Sequence, residues 1–260
     1  MLKNLICTTL LFASFTPVVN ATIVEFQTSQ GNFQVNLFDS STPETVNNFL
    51  QYIDEQHYTN SLVHRVSSDF VVQGGGYTFE GSLPLTRLET NSAVINEPVY
   101  SNVRGTIAMA KLGDSPNSAT DQWFFNLKNS NTGTANEGNL DLQNGGFTVF
   151  GQVIDDGMDI IEKISQLTLC NTGSLSGIPM VIDDGQQCTD LTAPGLENFV
   201  VIEQITIVDS SQVTDADLSP AKNTLITSVE APDSGGGAFI WLSILSLLSF
   251  SMRKLSKSNN

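Results

Sequence analysis

Histidine occurs twice and cysteine three times in 260 residues, and basic side chains are scarce: 11 Lys and Arg stand against 27 Asp and Glu, a net charge of −16. Each shortage removes a class of function. With no basic stripe to displace counterions from phosphates, the chain has no nucleic acid among its expected partners. His57 and His64 are too few for a zinc site or a histidine-dependent triad, so neither a metal nor a cofactor is expected. The acidic pairs Asp155-Asp156 and Asp183-Asp184 read as turn and cap residues.

Apolar material is ample, at 40% of residues, enough for one large domain with appendages. Thr22–Gln27 and Asn32–Phe38 alternate apolar and polar residues around Ser29-Gln30-Gly31, the pattern of a hairpin. Thr42 is placed to cap a helix beginning at Pro43, on which Val46, Phe49, Leu50 and Ile53 share one face. Further strands are expected at Leu62–Val66, Phe70–Gln73, Ala93–Ile95, Thr106–Lys111, Gln122–Leu127, Phe147–Val153 and Val200–Val208. A second helix is expected over Met158–Gln166, with Ile160, Ile161 and Ile164 inward. Alternation sends Leu62, His64 and Val66 to one face and Val63 and Arg65 to the other, leaving His64 a structural hydrogen bond opposite Arg65. The run Gly74-Gly75-Gly76 frees the backbone to turn or bulge. The pattern by itself is mainly β with two helices.

The two ends differ from this middle. Met1–Ala21, with Lys3, an apolar run over Leu5–Phe15 and small residues at its close, reads as a secretory signal cut near Ala21. Its loss leaves Cys170 and Cys188 as the remaining thiols in a compartment that permits disulfides. They either bridge or stay as two buried thiols, and the polar, Gly-rich sequence around them favours the bridge. Leu167–Asn198 is longer than a hairpin needs and reads as an insertion, either a stapled surface loop or a partner-binding one. Ser210–Ser234 has the composition of a linker. Gly235-Gly236-Gly237 follows, then the apolar run Ala238–Phe250, short for a membrane span, and a basic end at Arg253, Lys254 and Lys257 that would face the cytoplasm. The organisation is therefore a signal at 1–21, a folded domain at 22–209 with its inserted loop at 167–198, a linker at 210–234 and a tail at 235–260. The membrane is reached only through that tail. Trimming both ends leaves 7 basic against 27 acidic side chains, a strongly soluble product expected as a monomer.

Three ordered motifs carry the chemistry. V-H-R-V-S-S-D-F-V-V-Q-G-G runs from Val63 to Gly75; R-G-T-I-A-M-A begins at Arg104 and is followed by N-S-A-T-D-Q-W-F-F-N-L over Asn117–Leu127; L-D falls at Leu140-Asp141 ahead of F-T-V-F-G-Q-V over Phe147–Val153. Together they resemble the cyclophilin family of peptidyl-prolyl isomerases, over about Thr22 to Val208. The resemblance implies a closed eight-stranded antiparallel β-barrel capped by two α-helices, proline-containing polypeptides as partners, and isomerisation of X–Pro bonds without a cofactor. It implies Arg65, Phe70 and Gln73 as catalytic residues, and Phe70, Val71, Phe124, Leu140 and Phe147 as the lining of a proline pocket. Gln73 and Gln122 would hold Arg65 or the peptide backbone, and the main chain of Ala110 and Lys111 would pair with an extended substrate.

Three positions depart from the family pattern. Val71 stands where Met is common, Phe147 where His or Tyr is usual, and Asn139 where an aromatic ring is usual; the last is expected to weaken cyclosporin-type ligands. The tail resembles the Gly-Gly sorting signals of bacterial surface proteins, a plain inner-membrane anchor being the alternative. The reading is an exported isomerase, periplasmic, cell-surface or secreted, that helps envelope or secreted proteins to fold. A peptide-binding module or holdase with little turnover is the alternative.

Overall fold

In the computed structural model, residues 22–173, 175–210 and 218–226 are described, all within one unit that ends at Ile226. The signal at Met1–Ala21 and the tail at 235–260 lie outside the described residues. Among the described residues no helix is long and apolar enough to cross a membrane.

The chain opens with a hairpin of β1 (Ile23–Thr28) and β2 (Phe33–Leu37), then α1 (Pro43–Asp54). Next come β3 (Ser61–Ser67), β4 (Val71–Thr78), the short β5 (Thr86–Arg87), β6 (Thr106–Met109), β7 (Trp123–Asn126), β8 (Val149–Val153) and α2 (Gly157–Ser165). The inserted pair β9 (Thr168–Thr172) and β10 (Leu175–Met180) precedes the last strand, β11 (Val201–Asp209). Neighbours run β3-β11-β1-β2-β8-β6-β7-β4, and β4 pairs back to β3, which closes an eight-stranded antiparallel barrel with β5 added at β4. Closure leaves these eight strands no free edge.

The barrel interior is aromatic. Phe26 stacks on Phe33 at 5.0 Å and meets Trp123 edge-on at 5.2 Å, with Phe49, Phe125 and Phe150 completing the cluster. Val46, Phe49 and Tyr52 of α1 and Met158, Ile161 and Ile164 of α2 press into this core, as helical spacing requires. Ile160, expected inward, is only half buried and packs at the margin of the core. The expected cap is corrected too. The Thr42 hydroxyl turns back to the Phe38 carbonyl, and the carboxylate of Glu97 accepts from the Thr45 amide (2.9 Å) and hydroxyl (2.8 Å) instead. An acid at a helix N-terminus complements the open amides and the dipole, whichever part of the chain supplies it.

The strand expected at Ala93–Ile95 reduces to a single bridge, Val94 with Ala119, because no neighbouring strand runs beside it. Conversely, the insertion is more ordered than its composition suggested. β9 and β10 form a hairpin whose Cys170, Ile178 and Met180 pack with Leu62, Phe199 and Val201 in a cluster of their own. Gly177, at φ +74, lies so close to β3 that a Cβ there would sit 2.5 Å from the Val66 carbonyl oxygen, so only glycine fits. Cys170 is bonded to Cys188 across a sequence separation of 18, and Cys170 is buried even though the local sequence is polar. Closing a loop of that length removes about 3 kcal/mol of chain entropy from the unfolded state. Urea unfolding of the Cys170→Ser/Cys188→Ser chain is expected to show a loss of that size, and an unchanged midpoint would refute it.

Candidate active site

On β7 the run Trp123-Phe124-Phe125 alternates, so Trp123 and Phe125 enter the barrel while Phe124 faces outward. The same alternation turns Val72 of β4 inward and Val71 outward. Val71, Phe124 and Leu140, each buried to within 5% of full, thus meet on the outer face with Ala108 and Val149. Phe147 closes one side, edge-on to Phe124 at 5.7 Å. The result is an apolar hollow of about 200 Å³ on the outside of the barrel, lined also by Arg65, Phe70, Gln73, Ala110, Lys111 and Gln143.

Arg65 reaches this hollow through an irregularity. From Ser61–Thr78 to Val63–Gly74 the ladder advances two residues on β3 and four on β4; from Val63–Gly74 to Arg65–Gln73 it advances two on β3 and one on β4. These opposed bulges break the expected alternation. Val63 and Val66 both enter the core, and His64, expected opposite Arg65, packs outside on the Tyr77 ring at 4.8 Å. The glycine run supplies the freedom for this: Gly75 has φ +90, and a Cβ on Gly74 would lie 2.6 Å from the Trp123 ring.

A line of amides holds the guanidinium. Arg65 Nη1 donates to Gln73 Oε1 at 3.4 Å, and Gln73 Nε2 donates to Gln122 Oε1 at 2.8 Å. Gln122 also engages the imidazole of His64, whose burial lowers its pKa to about 4 and keeps it neutral near pH 7. The preceding Asp121 is wholly buried, and its carboxylate is met by Arg87 at 3.5 Å, His57 at 3.4 Å and the Thr120 hydroxyl at 3.0 Å. Gln122 therefore leaves β7 from a fixed turn. It lies beside a second hollow, of about 230 Å³, that shares Gln73, Ala110 and Lys111 with the first. The Ala110 amide is committed to the Gln122 carbonyl at 2.8 Å, which leaves the Ala110 carbonyl for any incoming strand.

The residues expected at the site therefore come together, with Gln122 one step back from the apolar hollow. What sequence reasoning missed is the framework behind the walls. Asp141 Oδ1 accepts from the Asn102 amide (2.7 Å) and from Asn102 Nδ2 (3.0 Å), which also donates to the Phe147 carbonyl at 3.2 Å. The amide of Phe147 then donates to the Leu140 carbonyl at 2.9 Å, fixing the two walls to each other. Asn139, expected only as a missing ring, is a buried loop tie that donates to the Gly133 carbonyl and accepts from the Asp141 amide. Gln143 carried no signal beyond its nearness to the L-D motif.

Lys111 contributes more than main chain. Its Nζ donates to the carbonyls of Asn144 (2.9 Å) and Gly146 (2.7 Å) and lies 4.8 Å from the centre of the Phe147 ring. Burial brings its pKa down to about 8. Between about pH 8 and the 10.5 of a free lysine, the unfolded chain carries a proton that the folded chain does not, so this group makes the fold more stable as pH rises through that window. The wall behaves oppositely, since the neutral amine binds the carbonyls and the ring less strongly. The Lys111 side-chain resonance is expected to titrate near pH 8 with the Phe147 ring signals following it; a midpoint above pH 10 would refute this.

Residues 23–181 match the family described as "Cyclophilin type peptidyl-prolyl cis-trans isomerase/CLD". "Peptidyl-prolyl cis-trans isomerase B" of Escherichia coli is 37% identical over 159 residues, 60% of this chain and 92% of the relative. "Peptidyl-prolyl cis-trans isomerase A" of Dickeya dadantii is 35% identical over 179 residues, 67% of this chain and 88% of the relative. A solved cyclophilin type isomerase of Cryptosporidium parvum is 22% identical, with 73% of this chain and 99% of that one covered and a TM-score of 0.49. With more than half its length inside the family match and the motif residues gathered at one hollow, the chain belongs to the cyclophilin-type peptidyl-prolyl cis-trans isomerases.

Proposed function

We propose that this isomerase acts on extended X–Pro segments of envelope or secreted proteins, with Arg65 donating toward the prolyl nitrogen while the ring sits against Phe124 and Phe147. The observation that carries the reading is a guanidinium, hydrogen-bonded to Gln73, that lines an apolar hollow. Rotation about a peptide bond meets a barrier of ~18–20 kcal/mol because the amide is conjugated, and an unassisted X–Pro bond takes tens of seconds or more to turn. No covalent bond has to break. In the twisted state the nitrogen regains its lone pair, so a donor held at that atom stabilises the transition state more than the planar ground state. Arginine suits the role: its charge is permanent and its fork is rigid.

An apolar wall adds a second effect. Seating the ring on Val71, Phe124, Leu140 and Phe147 strips water from the imide, whose planar, charge-separated form water favours. Val71, where the family commonly has Met, puts a smaller side chain in that wall. In a protease-coupled proline-peptide assay, Arg65→Ala is expected to lose about 10²–10³ in kcat/KM with its far-ultraviolet spectrum unchanged. Activity within twofold of wild type would remove Arg65 from the mechanism, and a wild-type rate equal to the spontaneous one would leave a peptide-binding groove.

The location belongs to the same proposal. The apolar leader at Met1–Ala21 and the Cys170–Cys188 bond, which persists only where thiols are oxidised, support an exported protein. The Gly235-Gly236-Gly237 run ahead of a short apolar segment supports a tail removed after sorting, with the membrane touched only through it. Mass spectrometry of the chain from medium and membrane fractions is expected to find an N-terminus near Thr22 and an end near the glycine run. Intact ends in both fractions would overturn this account.

A further inference from the structure

The segment Leu218–Ile226 lies past the last barrel strand and past the family match, in a stretch whose composition reads as a linker. It is nevertheless paired with the domain. The Ser101 amide donates to the Ala221 carbonyl at 2.8 Å, the Ser101 hydroxyl to the Lys222 carbonyl at 3.1 Å, and the Asn223 amide to the Val99 carbonyl at 3.0 Å. Lys222 Nζ stands 4.2 Å from the centre of the Tyr100 ring, and Leu218 packs against the cluster that holds Val71, Phe124 and Leu140.

Asn223 is the informative residue. Its Oδ1 accepts from the amides of Leu225 (3.0 Å) and Ile226 (3.4 Å), which fixes the side-chain amide group. Nδ2 is thereby aimed at the Asp141 carbonyl, 3.0 Å away. Asp141 is the residue whose carboxylate Asn102 grips from the barrel side, and it follows Leu140 in the loop that ends at Phe147. The loop is thus held at one residue from two directions, by the barrel through Asn102 and by the C-terminal segment through Asn223. Between Asp141 and Phe147 the chain turns through Gly145 and Gly146, both at positive φ, where only bonds to neighbours keep it in place. A Cβ at Gly146 would lie 3.3 Å from Asn223 Nδ2, so the two segments are in van der Waals range there as well.

We propose that Leu218–Ile226 is a strap belonging to the isomerase, with Asn223 a positioning residue that sets the Leu140 and Phe147 walls of the proline pocket through the Asp141 main chain. The strap touches no reacting atom, so its effect falls on binding of the ring. This rests on the isomerase reading, and the test separates the two.

The test compares the full chain, the full chain with Asn223→Ala, and a chain ended after Ser210, in the peptide assay and by amide spectra of Asn139–Phe147. Loss of the bond from Asn223 Nδ2 to the Asp141 carbonyl predicts about a fivefold rise in KM for Asn223→Ala with kcat within twofold, and a larger rise for the shortened chain. Shifts in the Leu140–Phe147 amide signals are expected in both variants, and they would appear even if the wild type proved inactive. Wild-type KM together with unmoved loop signals in Asn223→Ala would overturn the proposal, as would a lowered melting temperature with KM unchanged, which would make the segment a stabilising tail only. Asn223→Ala removes only the side-chain bonds of one residue outside the barrel strands, so it keeps the test valid should the shortened chain fail to fold.

Discussion

Between Val63 and Arg65 the ladder joining β3 to β4 carries one residue too many on β3, just after two too many on β4. Everything at the site follows from that irregularity. A regular ladder would keep Val63 and Arg65 on one face, yet Val63 fills the barrel core and Arg65 stands outside it. The bulges let one strand serve the core and the site within three residues. They depend in turn on Trp123, whose ring covers Gly74 so closely that no side chain fits between them. A core aromatic and the guanidinium at the hollow are therefore coupled through a glycine that belongs to neither.

The pocket behind Arg65 is apolar on its surface and polar in its foundations. Asn102, Asp141 and Asn126 are all buried, and each finds partners among the others or in nearby main chain. The network joins the strand side of the pocket to the loop side, with Asn126 Oδ1 its one buried atom left without a partner among the described residues. Lys111 adds a bond from the end of β6 to the turn before Phe147. Walls supplied by a loop are in this way given the fixity of walls supplied by strands, which a site that works by positioning requires.

The insertion follows a different logic. β9 and β10 rest on β3 from outside, with Ile178 and Met180 against Leu62 and the disulfide closing the far side. They add apolar area to the outer face of the strand that carries Arg65. A cross-link matters most for a short hairpin of this kind, which buries too little on its own to hold its shape.

Local periodicity was enough to find most of this fold. The two-residue alternation of β1, β2, β7 and β8, and the helical spacing of Val46 and Phe49, can be read one element at a time because each depends only on near neighbours in the chain. The motif residues Arg65, Gln73, Phe124 and Phe147 were legible only through the resemblance that the three ordered motifs carry, since aromatic residues on strands read by themselves as barrel core. Other features needed partners far away: Glu97 capping α1, the bulges that parted Arg65 from the face of Val63, the grip of Asn102 on Asp141, and the strap that composition alone made a linker. None of these leaves a period in the sequence, since each is a bond between segments that meet only once the barrel has closed. The sequence by itself determined which strands and side chains the site would use; the closed barrel decided where they point and what keeps them there.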